Sequence, residues 1–103
     1  MAIPKRYLKF QQDYPDVASA YEAMGEAVHK CGPLDDKTRA LIKLSISIGS
    51  KQEGAVHSHT KKALKAGCSA DEIKHAVMLA MPTLGLPSTM AAMSWVEDII
   101  EGK

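Results

Sequence analysis

Glu53-Gly54-Ala55-Val56-His57-Ser58-His59, continuing as Thr60-Lys61-Lys62-Ala63-Leu64-Lys65-Ala66-Gly67, is the stretch on which the reading of this chain turns. At about 100° per residue it winds into one amphipathic helix, running roughly from 51 to 66. With Gln52 as origin, Ala55, Val56, Ala63 and Ala66 gather into an apolar stripe, and Gln52 and His59 lie in its middle. Lys61, Lys62 and Lys65 fall on the opposite side. A titratable ring at the centre of an apolar face is either an unusual core residue or a site.

For His59 both readings stand on periodicity alone. A ring in an alanine-lined groove loses the solvent that stabilises its cation, so its pKa falls and it can act as a base or shuttle a proton near neutral pH. A core ring would instead satisfy its nitrogens on Gln52, Ser47 or a backbone carbonyl. Glu53 and His57 stand four apart and stack on one flank of the helix. They read first as an exposed pair contributing a few tenths of a kcal/mol, and second as a carboxylate orienting an imidazole. His57 and His59 are about 200° apart and cannot face one ion from a straight helix, so no metal site is expected.

Outward from this helix, turn signals cut the chain into helical pieces. Gly67 ends the histidine helix as a C′ residue, and Ser69-Ala-Asp-Glu72 is a capping box opening the next. Ile73, Ala76, Val77, Ala80, Met81 and Leu84 form the buried face of that helix, and Pro82 should kink or end it. Gly85-Leu-Pro87-Ser88 is a break, with Ser88 capping a last helix that carries Met90, Ala91, Trp95, Ile99 and Ile100. Upstream, Asp35 or Asp36 caps a helix with Leu41, Leu44 and Ile48 on one face. Leu44-Ser-Ile-Ser-Ile48 alternates at period two, as a strand would, but no partner strand is visible and a buried helix is expected. Pro15 or Asp16 opens a helix to Lys30, whose apolar face is Val17, Ala20, Tyr21, Met24 and Val28, and Gly32-Pro33 stops it. The stretch to Tyr14 is short and amphipathic at best. The sum is an all-α chain of five or six helices, one domain overall, with an N-terminal helical segment at 1–34 and a core at 35–101.

Composition narrows the function classes. The 103 residues include only five aromatics, so the core must be Ala, Leu, Ile, Val and Met, a helix former's palette. A chain this small buries a modest fraction of its surface, which makes association a natural source of further burial. A net charge of +1 with acids and bases interleaved gives no nucleic-acid stripe. No apolar run approaches the roughly 20 residues that span a bilayer, and MAIPKRYLKF lacks the apolar core of a signal peptide. Cys31 and Cys68 have no metal-binding or redox spacing. Free thiols in a cytoplasmic protein are expected. Cys68 lies near a helix N-terminus, which can lower a thiol pKa, but a structural role is the better expectation. His29 and His75 read as surface residues, and Met78, Met81, Met90 and Met93 as core or as the lining of an adaptable pocket.

The order His59, Ala63-Leu64, Gly67, Ser69-Ala-Asp-Glu-Ile73 and Gly85-Leu-Pro87 resembles the carboxymuconolactone decarboxylase family, which includes alkylhydroperoxidase D-like proteins. The similarity covers roughly residues 35 to 101. It implies an all-α fold that assembles as homotrimers or homohexamers, with sites close to subunit interfaces. In the alkylhydroperoxidase branch a Cys-x-x-Cys precedes the histidine. Here it falls on Gln52 and Ala55, and the branch's upstream glutamate falls near Ala40. Without two thiols, disulfide-based peroxide reduction is disfavoured. The decarboxylase branch needs no cysteine and no cofactor. It implies His59 as the acid/base, assisted by Glu53 and His57, with Arg39 and Gln52 holding a small carboxylated lactone or enol. Lys43 is a second inward cation. The competing expectation is a family member that kept the fold as an oligomeric binding or structural protein.

Overall fold

A computed structural model describes residues 3–102. Among them no strand occurs, and the helices are α1 Lys5–Asp13, α2 Pro15–Lys30, α3 Asp36–Gly49, α4 Glu53–Lys65, α5 Ala70–Leu79, the short α6 Met81–Leu84, and α7 Leu86–Ile100. The chain divides into two compact units, one ending at Leu34 and the other beginning at Asp35.

In the first unit α1 packs on α2. Glu22 on α2 accepts from the Gln11 amide at 2.8 Å and the Tyr7 hydroxyl at 3.2 Å. Pro15 at the first position of α2 loses no hydrogen bond, because that N–H has no intrahelical acceptor. The stretch expected to be amphipathic at best is a full helix, closed by the Tyr14 amide on the Phe10 carbonyl. Val17, Tyr21, Met24 and Val28, the expected buried face of α2, are each more than half exposed, and Ala18 is its buried residue.

In the second unit α4 lies between α3 and α7, and α5 packs on α7 and α3. The core is Leu44, Ile48, Val56, Ala63, Cys68, Ile73, Val77, Ala92 and Val96, with no aromatic ring among its buried members. Burying each of the larger aliphatic side chains contributes about 1.5–3 kcal/mol. Thr60 and Thr89 are also fully buried. Their hydroxyls donate to their own helices, at Val56 (2.7 Å) and Gly85 (2.9 Å), so each presents its methyl to the core at no hydrogen-bonding cost. The period-two run at Leu44–Ile48 is helical. Ser45 and Ser47 donate back to Leu41 and Lys43, and Leu44 and Ile48 are four apart on the core face.

Caps set the boundaries. Asp35 accepts from the Thr38 amide at 2.8 Å, which holds its carboxyl below the usual range. Ser69 and Glu72 form the reciprocal box. Gly67, at φ 98°, ends α4 in a Schellman motif: the Cys68 amide donates to Ala63 and the Gly67 amide to Leu64. The same motif ends α3, with Gln52 donating to Ser47 and Lys51 to Ile48. Its left-handed residue is Lys51, at φ 58°, and not the nearby Gly49.

The break expected at Pro82 is present: Pro82 stands in the first turn of α6, and α5 stops at Leu79. One boundary differs from expectation. α7 begins at Leu86 and not at Ser88, because Gly85 at φ 89° makes the break alone and Pro87 is tolerated in the first turn. The methionines are not uniformly core. Met78 and Met90 are exposed, while Met93 packs against the buried cluster.

Candidate active site

The three-residue joint folds α4 back along α3, so residues equidistant from Lys51 lie at the same level. By that count alone Lys43 and His59, each eight residues from Lys51, fall at one level. The buried face of α4 consists of Val56, Thr60 and Ala63. This stripe is rotated towards Thr60 from the one the sequence suggests, leaving His59 half-buried on its α3-side flank. Gln52, expected mid-stripe, is the exposed N-cap residue of α4 and does not line a groove.

The α3–α4 side carries a group of cations. Lys43 on α3 is half-buried and lies close enough to Lys62 on α4 and Arg39 on α3 to feel both charges. Burial first, then Lys62 and Arg39, push its pKa down. Arg39 is half-buried and donates to Asp36 one turn earlier. Lys62, read from the sequence as opposite His59, is exposed and lies one turn beyond it, about 60° round α4. Two helices thus bring three cations together, one of them a turn from His59.

The other flank of α4 meets an acidic residue of α7. His57, its side chain 28% exposed, donates from Nε2 to Asp98 Oδ2 of α7 at 3.1 Å. Glu53, one turn before it, completes a set in which one ligand atom from each residue lies within 4.8 Å of the others. The structure therefore joins Glu53 and His57 to each other and to Asp98. His57 and His59 point about 160° apart by helical geometry, so this group and His59 occupy different flanks. Asp98 was not foreseen. It comes from 41 residues away, and the signal for it was slight: an acidic pair, Glu97-Asp98, breaking an otherwise apolar α7.

The thiols do not make a redox centre. Cys31 is exposed, Cys68 is buried, and both are free. The Cys68 sulfur lies 3.7 Å from the Lys37 carbonyl, and burial, with Glu72 nearby, pushes its pKa up and not down. No helix among the described residues is long and apolar enough to cross a membrane.

Comparison with known proteins follows the same lines. A 4-carboxymuconolactone decarboxylase of Acinetobacter baylyi is 27% identical over 92 residues, covering 89% of this chain and 67% of that protein. An uncharacterized protein of Haemophilus influenzae is 33% identical over 61 residues, 59% of this chain and 54% of its own length, so the match spans about half of that relative. An uncharacterized protein of Methanocaldococcus jannaschii is 28% identical over 90 residues, 86% of each chain. No solved structure matches. The model of the carboxymuconolactone decarboxylase family matches residues 15–98, reaching some twenty residues further upstream than the motifs that suggested it and taking in α2. With that match over most of its length, the chain belongs to the carboxymuconolactone decarboxylase family.

Proposed function

We propose that this chain is a cofactor-independent acid/base enzyme that decarboxylates or isomerises a small carboxylated lactone or enol. The observation that carries the reading is the pair of half-buried cations Arg39 and Lys43 on α3, with the exposed Lys62, one turn beyond the half-buried His59 on α4, close enough to Lys43 to feel its charge. Burial, then the charges of Lys62 and Arg39, depress the Lys43 pKa, and a bound carboxylate would offset both effects. A relative named 4-carboxymuconolactone decarboxylase supports an anionic substrate of this class.

The step balances simply. The bond from the γ-carbon to its carboxylate breaks and carbon dioxide leaves; that electron pair becomes the β,γ double bond as the former α,β π pair takes a proton from protonated His59 at the α-carbon. Solvent then reprotonates the ring. Glu53 and His57, on the other flank, have no role in this step. Free thiols fit a reducing compartment.

We also propose that a second copy of the chain completes the assembly. Ile42, Ile46 and Leu79 are exposed around an open groove of 530 Å³ between α3 and α5, floored by Leu41 and Ala76. On the α3 wheel Arg39 falls between Ile46 and Lys43, so this apolar face borders the cation group. A partner seated there would abut the rim of the site.

The test is the loss of ultraviolet absorbance on decarboxylation of 4-carboxymuconolactone, for wild type beside His59→Ala. Turnover lost in the variant, with its oligomer intact, supports the lyase. Turnover retained by the variant refutes His59 as the acid. No turnover in either moves the protein to another small acid or to a non-catalytic role.

A further inference from the structure

Glu53, His57 and Asp98 form a second group of chemically active side chains, which the proposed reaction leaves unused. We propose that these three residues bind a divalent first-row transition ion on the α4–α7 seam. The donor set is one imidazole nitrogen and two carboxylate oxygens, which suits zinc, cobalt, manganese or iron more than calcium or magnesium. Bonds of about 2.0–2.2 Å to one ion place its ligand atoms roughly 3–3.5 Å apart. His57 Nε2 and Asp98 Oδ2 already stand 3.1 Å apart, and all three ligand atoms are within 4.8 Å of one another. Glu53 is exposed, so its side chain has room to turn towards that pair.

Charge points the same way. With a neutral imidazole the group carries two negative charges, and no lysine or arginine among the described residues pairs with Glu53 or Asp98. A divalent ion balances that charge. Each ligand stands on a helix, so the backbone that presents it is fixed by core packing beneath Val56 and Val96. Three protein ligands leave coordination positions open, the arrangement of an ion that meets small molecules or water and not of a sealed structural site. The site is independent of His59, because the two occupy different flanks of α4.

The experiment is titration with Co²⁺, followed by its visible absorption bands, and with Zn²⁺ by calorimetry. Both use the full chain carrying Cys31→Ser, since the exposed thiol could bind either ion. The expected result is one ion per chain, with affinity falling at least ten-fold in Asp98→Asn and in Glu53→Gln and unchanged in His75→Ala. Far-UV circular dichroism checks that the isosteric variants remain folded, and saturating Zn²⁺ should raise the Tm of the parent but not of Asp98→Asn. Absence of binding, or affinity that survives both carboxylate substitutions, or loss of binding on removing His75, overturns the proposal.

Discussion

At the scale of single residues, Lys43 makes the sharpest forecast. It is held among Lys62 and Arg39 with its pKa depressed. Lys43→Met should raise the Tm, a gain of about 0.5–1 kcal/mol in line with relieving a repulsive charge. It should also weaken binding of an anionic substrate about 10–100-fold, as expected when a charged hydrogen bond is lost. Only the protonated ammonium attracts a carboxylate. In the wild type KM should therefore rise as pH climbs through the lowered pKa of Lys43, and the variant should show no such limb. Steady-state kinetics against pH beside thermal melts checks both halves. The sequence made His59 legible as an odd residue near an apolar face. It placed the face slightly wrong because Thr60 counts as polar on a wheel, whereas its hydroxyl is spent on Val56 and its methyl behaves like valine. Gln52 misled for another reason: it precedes the helix and so does not share its periodicity. Asp98 was illegible because pairing across 41 residues leaves no local pattern.

At the scale of elements, the joint between α3 and α4 stores a small strain. A lysine in the left-handed region costs about 1–2 kcal/mol, partly offset because glycine there would lose more chain entropy on folding. Lys51→Gly should therefore stabilise the fold by about 0.5–1 kcal/mol, seen as a higher urea midpoint with an unchanged slope. A lower midpoint would mean that the Lys51 side chain contributes something the geometry does not reveal. At α5, Ser69→Ala should cost about 1 kcal/mol, the usual loss for a removed cap. Glu72 adds a pH signature. Its carboxylate accepts from the Ser69 amide and pairs with Lys37 at 3.2 Å, which lowers its pKa from 4.5. Its stabilising effect is thus complete above the unfolded value and is lost as pH falls through the lower folded one. Glu72→Gln should flatten that acid limb in urea melts. The capping box and the Gly67 stop were readable because each is a local rule with local partners. The start of α7 was not, since Pro87 reads as a breaker until one knows it sits in a first turn.

At the scale of the molecule, periodicity found apolar faces but could not say what covers them. The α2 stripe from Val17 to Val28 and the α3–α5 face at Ile42, Ile46 and Leu79 are exposed alike in the single chain. Ile46, at 66% exposure, is the informative one to change. Ile46→Glu should leave the helical content intact and lower the sedimentation coefficient, whereas an unaltered coefficient would place self-association elsewhere or nowhere. α4 has a further consequence. It sets His59 and Lys62 on one flank and Glu53 and His57 on the other, separated by one helix diameter of about 10 Å, close to the Debye length at physiological salt. Any anion held on the first flank and any cation held on the second attract across it by about 1 kcal/mol or less. Thermodynamic linkage makes that help mutual: each occupant tightens the other by the same factor, and added salt erodes both gains together.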